Sequence, residues 1–236
     1  MDLTDVCREL GVGIRVVPAD SERRGALAQR GSGWEVRLMR ADPRPSPITP
    51  HERFTIAHEL GHYVLLQEAS FLPQREGEYW LGEKLCQQFA ARLLIDPILL
   101  DRLPEPSTAA ELMASVNWLA KRAQVTAEPA AREVVARAEG PVAVGKFLLD
   151  PLPSTRRIGF RRWWVENRSW WGGRGGRRLA VYEDHPLAPV LESMRSMARG
   201  EVAEPQVAGT VSTSLRRRGG RWASFAAILT APSKIE

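Results

Sequence analysis

The sequence predicts an α+β fold: a mostly helical body with a small N-terminal β-sheet, followed by a smaller α/β C-terminal module. Three observations carry that expectation. Two short stretches within the first forty residues alternate apolar and polar side chains, as half-buried strands do. Segments with helical periodicity follow from about residue 49 to residue 138. Beyond Gly140-Pro141 the texture changes to strand-like runs, paired tryptophans and grouped arginines. The chain accordingly reads as a core over 1–105, a helical segment over 106–140 and a basic, tryptophan-rich module over 141–236.

The 236 residues and their 44% apolar content support a packed core in one large domain or two small ones. The net charge of +5 is unevenly spread, at −3 over 1–140 and +8 over 141–236. The basic C-terminal part therefore suggests an acidic partner or nucleic acid, or else simply solvated arginine-rich loops. No apolar run approaches the roughly 20 residues that cross a bilayer, so no membrane association is expected. The first residues, Met1-Asp2-Leu3-Thr4-Asp5, do not read as a secretory signal. Only Cys7 and Cys86 are present, which favours reduced thiols and a cytoplasmic protein.

Taken in order, residues 2–10 read as a short helix stopped by Gly11. Ile14–Val17 and Trp34–Met39 read as strands, the second introduced by the turn signal Gly31-Ser32-Gly33. Thr49-Pro50 reads as a helix start, with threonine as N-cap and proline at the first helical position. That helix runs to about Gln67. Pro73–Glu78 reads as a loose connection, and a second helix begins near Gly82. Residues 107–138 read as helical with small breaks. In the C-terminal part, 179–182 and 210–215 read as strands and 187–198 as a helix. Gly219-Gly220 reads as a turn leading into a strand over 222–229.

Within the helix from Thr49 lies His58-Glu59-Leu60-Gly61-His62. Residues four apart share a helix face, so two imidazoles at this spacing can reach one metal ion. Glu59, between them but off their line, is placed as a general base for a metal-bound water. The pattern points to metal-assisted hydrolysis with zinc, manganese being the alternative. A hydrolytic zinc site needs a third protein ligand and one open position. Glu68 lies six residues beyond His62, about 9 Å further along a helix, and reads as a surface charge. Glu83 is the better candidate. It opens the second helix, whose Leu85, Phe89 and Leu93 are expected to pack on the first. A carboxylate in a first turn also suits the helix dipole.

Arg53-Phe54-Thr55-Ile56-Ala57-His58-Glu59-Leu60-Gly61-His62 and Glu83-Lys84-Leu85-Cys86-Gln87-Gln88-Phe89-Ala90-Ala91-Arg92-Leu93-Leu94 together resemble the ImmA/IrrE metallopeptidases. In that family a glutamate ligand precedes an alanine-rich helix ending in Leu-Leu and proline. Here Ile95-Asp96-Pro97 follows, a small departure. The resemblance covers about residues 1–140. It implies a zincin-like peptidase core of gluzincin type, a helix-turn-helix-like segment, and cleavage of a helix-turn-helix transcriptional repressor that switches on stress or mobile-element genes. IrrE-like members carry a GAF-like sensor where this chain has residues 141–236.

Peptide hydrolysis also wants a donor for the oxyanion. Tyr182 and His185 are candidates from the C-terminal module, and Tyr63 and Tyr79 are nearer in sequence; packing or surface roles compete for each. Cys86 reads as a small buried hydrophobe, with a zinc-competing thiolate as the other reading. The stretch Ser115–Thr126 with Ala130-Ala131-Arg132 is spaced like a helix-turn-helix, although Gln124 stands where glycine often turns the chain. It offers few base-reading side chains, and a structural or repressor-contacting role is favoured. The alternative from a different class is a DNA-binding transcriptional regulator with a structural or vestigial metal site. Arginine groups interleaved with Trp163, Trp164, Trp170 and Trp171 could bind single-stranded nucleic acid or pack on a sheet.

Overall fold

The computed structural model describes residues 2–19, 24–140, 142–149, 157–167, 179–182, 210–217 and 221–228. The chain forms two compact units. The first comprises Met1–Arg102 with Leu119–Pro129, and the second Leu103–Trp118 with Ala130–Glu236. Residues 106–118 and 130–140 fall in the second unit and residues 119–129 in the first.

The first unit begins with α1 (Leu3–Glu9), whose N-cap Asp2 accepts from the Thr4 N–H. Three strands follow: β1 (Val12–Pro18), β2 (Gly25–Arg30) and β3 (Gly33–Arg40). They form one sheet in the order β1-β3-β2, with β1 parallel and β2 antiparallel to β3. The sequence reading gave two of these strands and missed β2. Its residues Gly25-Ala26-Leu27-Ala28-Gln29-Arg30 have weak strand propensity, and pairing with β3 overrides it. Gly31, at φ +58°, turns the β2–β3 hairpin, where a side chain would be strained.

Two helices of nineteen residues complete the frame: α2 (Pro50–Glu68) and α3 (Glu76–Leu94). α2 packs against α3 and against β2 and β3. Val36 and Leu38 of β3 and Ile56, Ala57 and Leu60 of α2 are almost wholly buried and form the centre of this core. α3 starts two turns earlier than expected, at Glu76, so Glu83 lies well inside the helix and the dipole argument does not apply to it. The buried face of α3 also differs from expectation. It is Gly82, Cys86, Ala90, Ala91 and Leu94, whereas Leu85 is exposed and Phe89 and Leu93 only half-buried. The reason is the closeness of the helices. A Cβ on Gly61 would come within 2.9 Å of the Cys86 Cα, so only small residues fit along this contact.

α4 (Pro97–Asp101) follows, capped by Asp96, which accepts from the Ile98 N–H. α5 (Ala109–Ala123) and α6 (Ala127–Arg137) are joined by Gln124-Val125-Thr126. Gln124 takes φ +52°, the left-handed conformation that glycine adopts more readily. Pro129 falls in the first turn of α6, where its missing N–H costs little.

In the second unit, β4 (Val142–Leu149), β5 (Arg157–Glu166), β6 (Leu179–Tyr182), β7 (Thr210–Arg217) and β8 (Arg221–Ile228) form an antiparallel sheet in the order β6-β5-β4-β8-β7. Asn167 fastens its entry by donating to the Ala138 and Gly140 carbonyls and accepting from the Val142 N–H. The helix expected over 187–198, together with Trp170, Trp171 and His185, lies outside the described residues. Helices and strands are thus both substantial, as an α+β chain requires. Among the described residues no helix is long and apolar enough to cross a membrane.

Candidate metal centre

α2 is fixed at its start. The Thr49 hydroxyl accepts from the Glu52 N–H, and the Glu52 carboxylate accepts from the Thr49 N–H at 2.8 Å, a reciprocal cap worth about 1 kcal/mol. Arg40, at the end of β3, grips the same carboxylate with two guanidinium nitrogens and also reaches the Ser46 hydroxyl. The Arg40 guanidinium, with the Thr49 donors, pulls the Glu52 carboxyl down to about 2. The helix that follows is therefore anchored to the sheet before it reaches the histidines.

His58 and His62 stand on one face of α2 with ring centroids 4.9 Å apart. Glu83 of α3 lies opposite. His58 Nε2 is 3.3 Å from one of its carboxylate oxygens and His62 Nε2 is 3.3 Å from the other. Among the described residues these three side chains form a group able to hold a metal ion, with all ligand atoms within 4.8 Å of one another. Zinc bonded at about 2.0–2.1 Å in a tetrahedron separates its ligands by about 3.3–3.4 Å; each imidazole lies at that distance from one Glu83 oxygen, though not from the same one, so a turn of the carboxylate would let a single oxygen serve beside both nitrogens. The chemistry of this donor set fits as well. Burial lowers the His58 pKa, with neighbouring His62 acting in the same sense and Glu83 opposing, so the imidazole is held neutral as a ligand must be. The other His58 nitrogen, Nδ1, is buried and has no hydrogen-bond partner among the described residues.

Glu59 is buried beside the trio. Its Oε2 accepts from the Leu27 N–H at 2.8 Å, so that amide of the edge strand β2 is aimed away from β3. Helix and strand run in step. Gly25 meets Thr55, Leu27 meets Glu59, and Trp34, the register partner of Gln29, meets Tyr63 edge-on. Two strand residues advance about 6.6 Å and four helix residues about 6 Å, which keeps the two rows aligned. Gly25 makes this approach achievable, since a Cβ there would lie 2.3 Å from the Thr55 methyl carbon. The result is a groove of about 690 Å³ with β2 on one wall, α2 at its base and α3 opposite.

The structure brings together His58, Glu59, His62 and Glu83. It leaves Glu68 exposed on the last turn of α2. Tyr63 donates to the Leu10 carbonyl and meets the Trp34 ring edge-on, a packing role. Tyr79 lines the groove. Tyr182 ends β6 in the second unit and His185 lies outside the described residues. Cys86 packs against Gly61, and burial with the charges of Glu83 and Glu59 pushes its thiol up to about 12. Its packing against Gly61 is the role the structure gives it, and the group of side chains able to hold an ion is His58, His62 and Glu83. The sequence reading missed the β2 wall; the lone Gly25 at the head of a weak strand was its one signal. The sequence matches no protein-family model and no curated protein, so the site speaks through its own chemistry.

Proposed function

We propose that this chain is a zinc-dependent endopeptidase, with a zincin-like core like that of the ImmA/IrrE metallopeptidases it resembles. The observation that carries the proposal is the convergence of His58, His62 and Glu83 with Glu59 alongside, in a groove whose wall is an edge strand. His58, His62 and Glu83 would hold the ion. Bound zinc would polarise the scissile carbonyl and lower the pKa of a coordinated water to about 7. Glu59 would take a proton at its carboxylate and deliver it to the leaving amine. An extended substrate segment could lie against the edge strand β2, with the Leu27 N–H, bonded to Glu59 in this structure, released from it for pairing. Tyr79 lines the groove and is the tyrosine that would be tested first as an oxyanion donor.

The substrate class would be a helix-turn-helix repressor, from the family resemblance, and the compartment the cytoplasm, from the two cysteines that read as reduced thiols. The second unit, with its basic charge, would sense a signal or dock a partner, nucleic acid included; a GAF-like relationship belongs to the same proposal. The competing view of a DNA-binding regulator finds little in α6, whose exposed positions are Arg132, Ala136 and Arg137. The test is Glu59→Ala in the zinc-loaded protein, assayed on the repressor encoded nearest to it. Cleavage should fall by at least about 10³-fold with zinc retained. Undiminished cleavage would refute the mechanism.

A further inference from the structure

We infer that the outer face of α3 is a self-association surface, on which two copies of this chain pair antiparallel about a two-fold axis level with Leu85. This goes beyond the endopeptidase reading and does not depend on it. Exposed apolar side chains are ordinary when scattered singly, but here they are gathered. Of the eight large hydrophobics that are exposed among the described residues, six lie on α3 or close to its ends: Leu72, Tyr79, Trp80, Leu81, Leu85 and Ile98. Trp80 is 53% and Leu81 50% exposed. Leu72 follows the turn at which Ser70 takes φ +46° and the Phe71 N–H returns to the Leu65 carbonyl.

The faces of α3 divide by role. Gly82, Cys86 and Ala90 are buried, and Glu83 meets the histidines. Leu81, Leu85, Gln88 and Arg92 are exposed. With Glu78 they repeat at alternating steps of three and four residues, the spacing of a seam where one helix meets another. The order of residues along that seam identifies the partner as a second copy. An acid, Glu78, stands seven residues before Leu85 and a base, Arg92, seven residues after it, each about 10.5 Å along the axis. Run antiparallel, the seam is its own complement. Leu85 meets Leu85 of the partner subunit, and Glu78 comes level with Arg92 of the partner subunit, twice by symmetry. Leu81 lies between these contacts. Both charges have capacity to spare: Arg92 makes no ion pair among the described residues, and Glu78 accepts from the Gln74 N–H through one carboxylate oxygen, leaving the other for a partner. A face of one sign would call for a foreign partner of the opposite sign. A face carrying both signs, balanced about a leucine, calls for itself. Antiparallel pairing also opposes the two helix dipoles favourably.

The experiment is sedimentation equilibrium of the full-length chain between about 1 and about 200 µM, a span suited to an interface made by one helix from each copy. The chain should pass from monomer to dimer within it. Leu85→Lys sets two like charges against each other across the axis and should weaken dimerisation by about ten-fold or more; Leu81→Lys serves if that variant does not fold. Glu78→Arg should weaken it by about five-fold, and the exchanged chain Glu78→Arg with Arg92→Glu should recover most of the loss, a rescue that a purely local role for either residue would not produce. A chain that stays monomeric over the whole range overturns the proposal. So does a dimer that neither Leu85→Lys nor Glu78→Arg weakens, because it would form through another surface. An exchange that fails to rescue overturns the antiparallel register, and the proposal with it.

Discussion

The two long helices that face each other across the groove are equal in length and opposite in character. α2 has a proline at its start, a reciprocal cap, a buried arginine on that cap and a fully buried stripe. α3 starts at Arg75 with no side-chain cap hydrogen bond, and its first turns expose Tyr79, Trp80, Leu81 and Leu85. The anchored helix carries His58 and His62 of the group able to hold an ion, and the proposed general base Glu59. The loosely started one carries Glu83 and Tyr79 on the opposite side of the groove. A site divided in this way would hold His58, Glu59 and His62 on the fixed side and leave Glu83 room to adjust to a bound ion. Ion binding would then also link α3 to the fixed part of the fold.

The sharpest way to break this comparison is to separate the helices. Gly61→Leu drives a side chain into the Cys86 backbone. It should destabilise the protein by about 3 kcal/mol or more in urea unfolding, with loss of zinc affinity. A neutral result would mean that the close contact does not hold Glu83 in place.

A smaller effect concerns the anchor of α2. The Glu52 carboxyl is held at about 2 by Arg40, against an ordinary 4.5. A lowered folded-state pKa stabilises above the unfolded value and loses that stability as pH falls. The Arg40–Glu52 contribution, about 2–3 kcal/mol, should therefore be complete above about pH 4.5 and disappear towards pH 2. Glu52→Gln should be less stable than wild type at pH 7, and the gap should close on acidification; a pH-independent gap would contradict the assignment. The smallest expected effect is a gain. Arg75→Ser would place a serine N-cap three residues before Glu78, completing the cap that α3 lacks. Thermal unfolding should show about 0.5–1 kcal/mol of added stability.

The same contrast explains what the sequence made legible. α2 carried its own signals in Thr49, Pro50, Glu52 and the four-residue histidine spacing, and each describes local chemistry. The strand β2 carried almost none, because Gly25, Ala26 and Ala28 become a strand only through pairing with β3. From the sequence Glu83 reads as the first turn of a helix packed through Leu85, Phe89 and Leu93, whereas α3 begins at Glu76 and packs through its small residues. It reaches the histidines from the middle of α3, through a contact that Gly61 and Cys86 allow. Phe71 could not be placed from sequence, since its position depends on a left-handed serine and a return to Leu65. Local hydrogen bonding was readable along the chain, and the closeness of two elements was not.

The most direct measurement is metal content per chain, taken by elemental analysis after zinc loading and dialysis of the full-length protein. Wild type and Glu59→Ala should each retain about one zinc, while His62→Ala and Glu83→Ala should retain close to none. A wild-type chain without zinc, or a Glu83→Ala chain holding as much as wild type, would contradict the account.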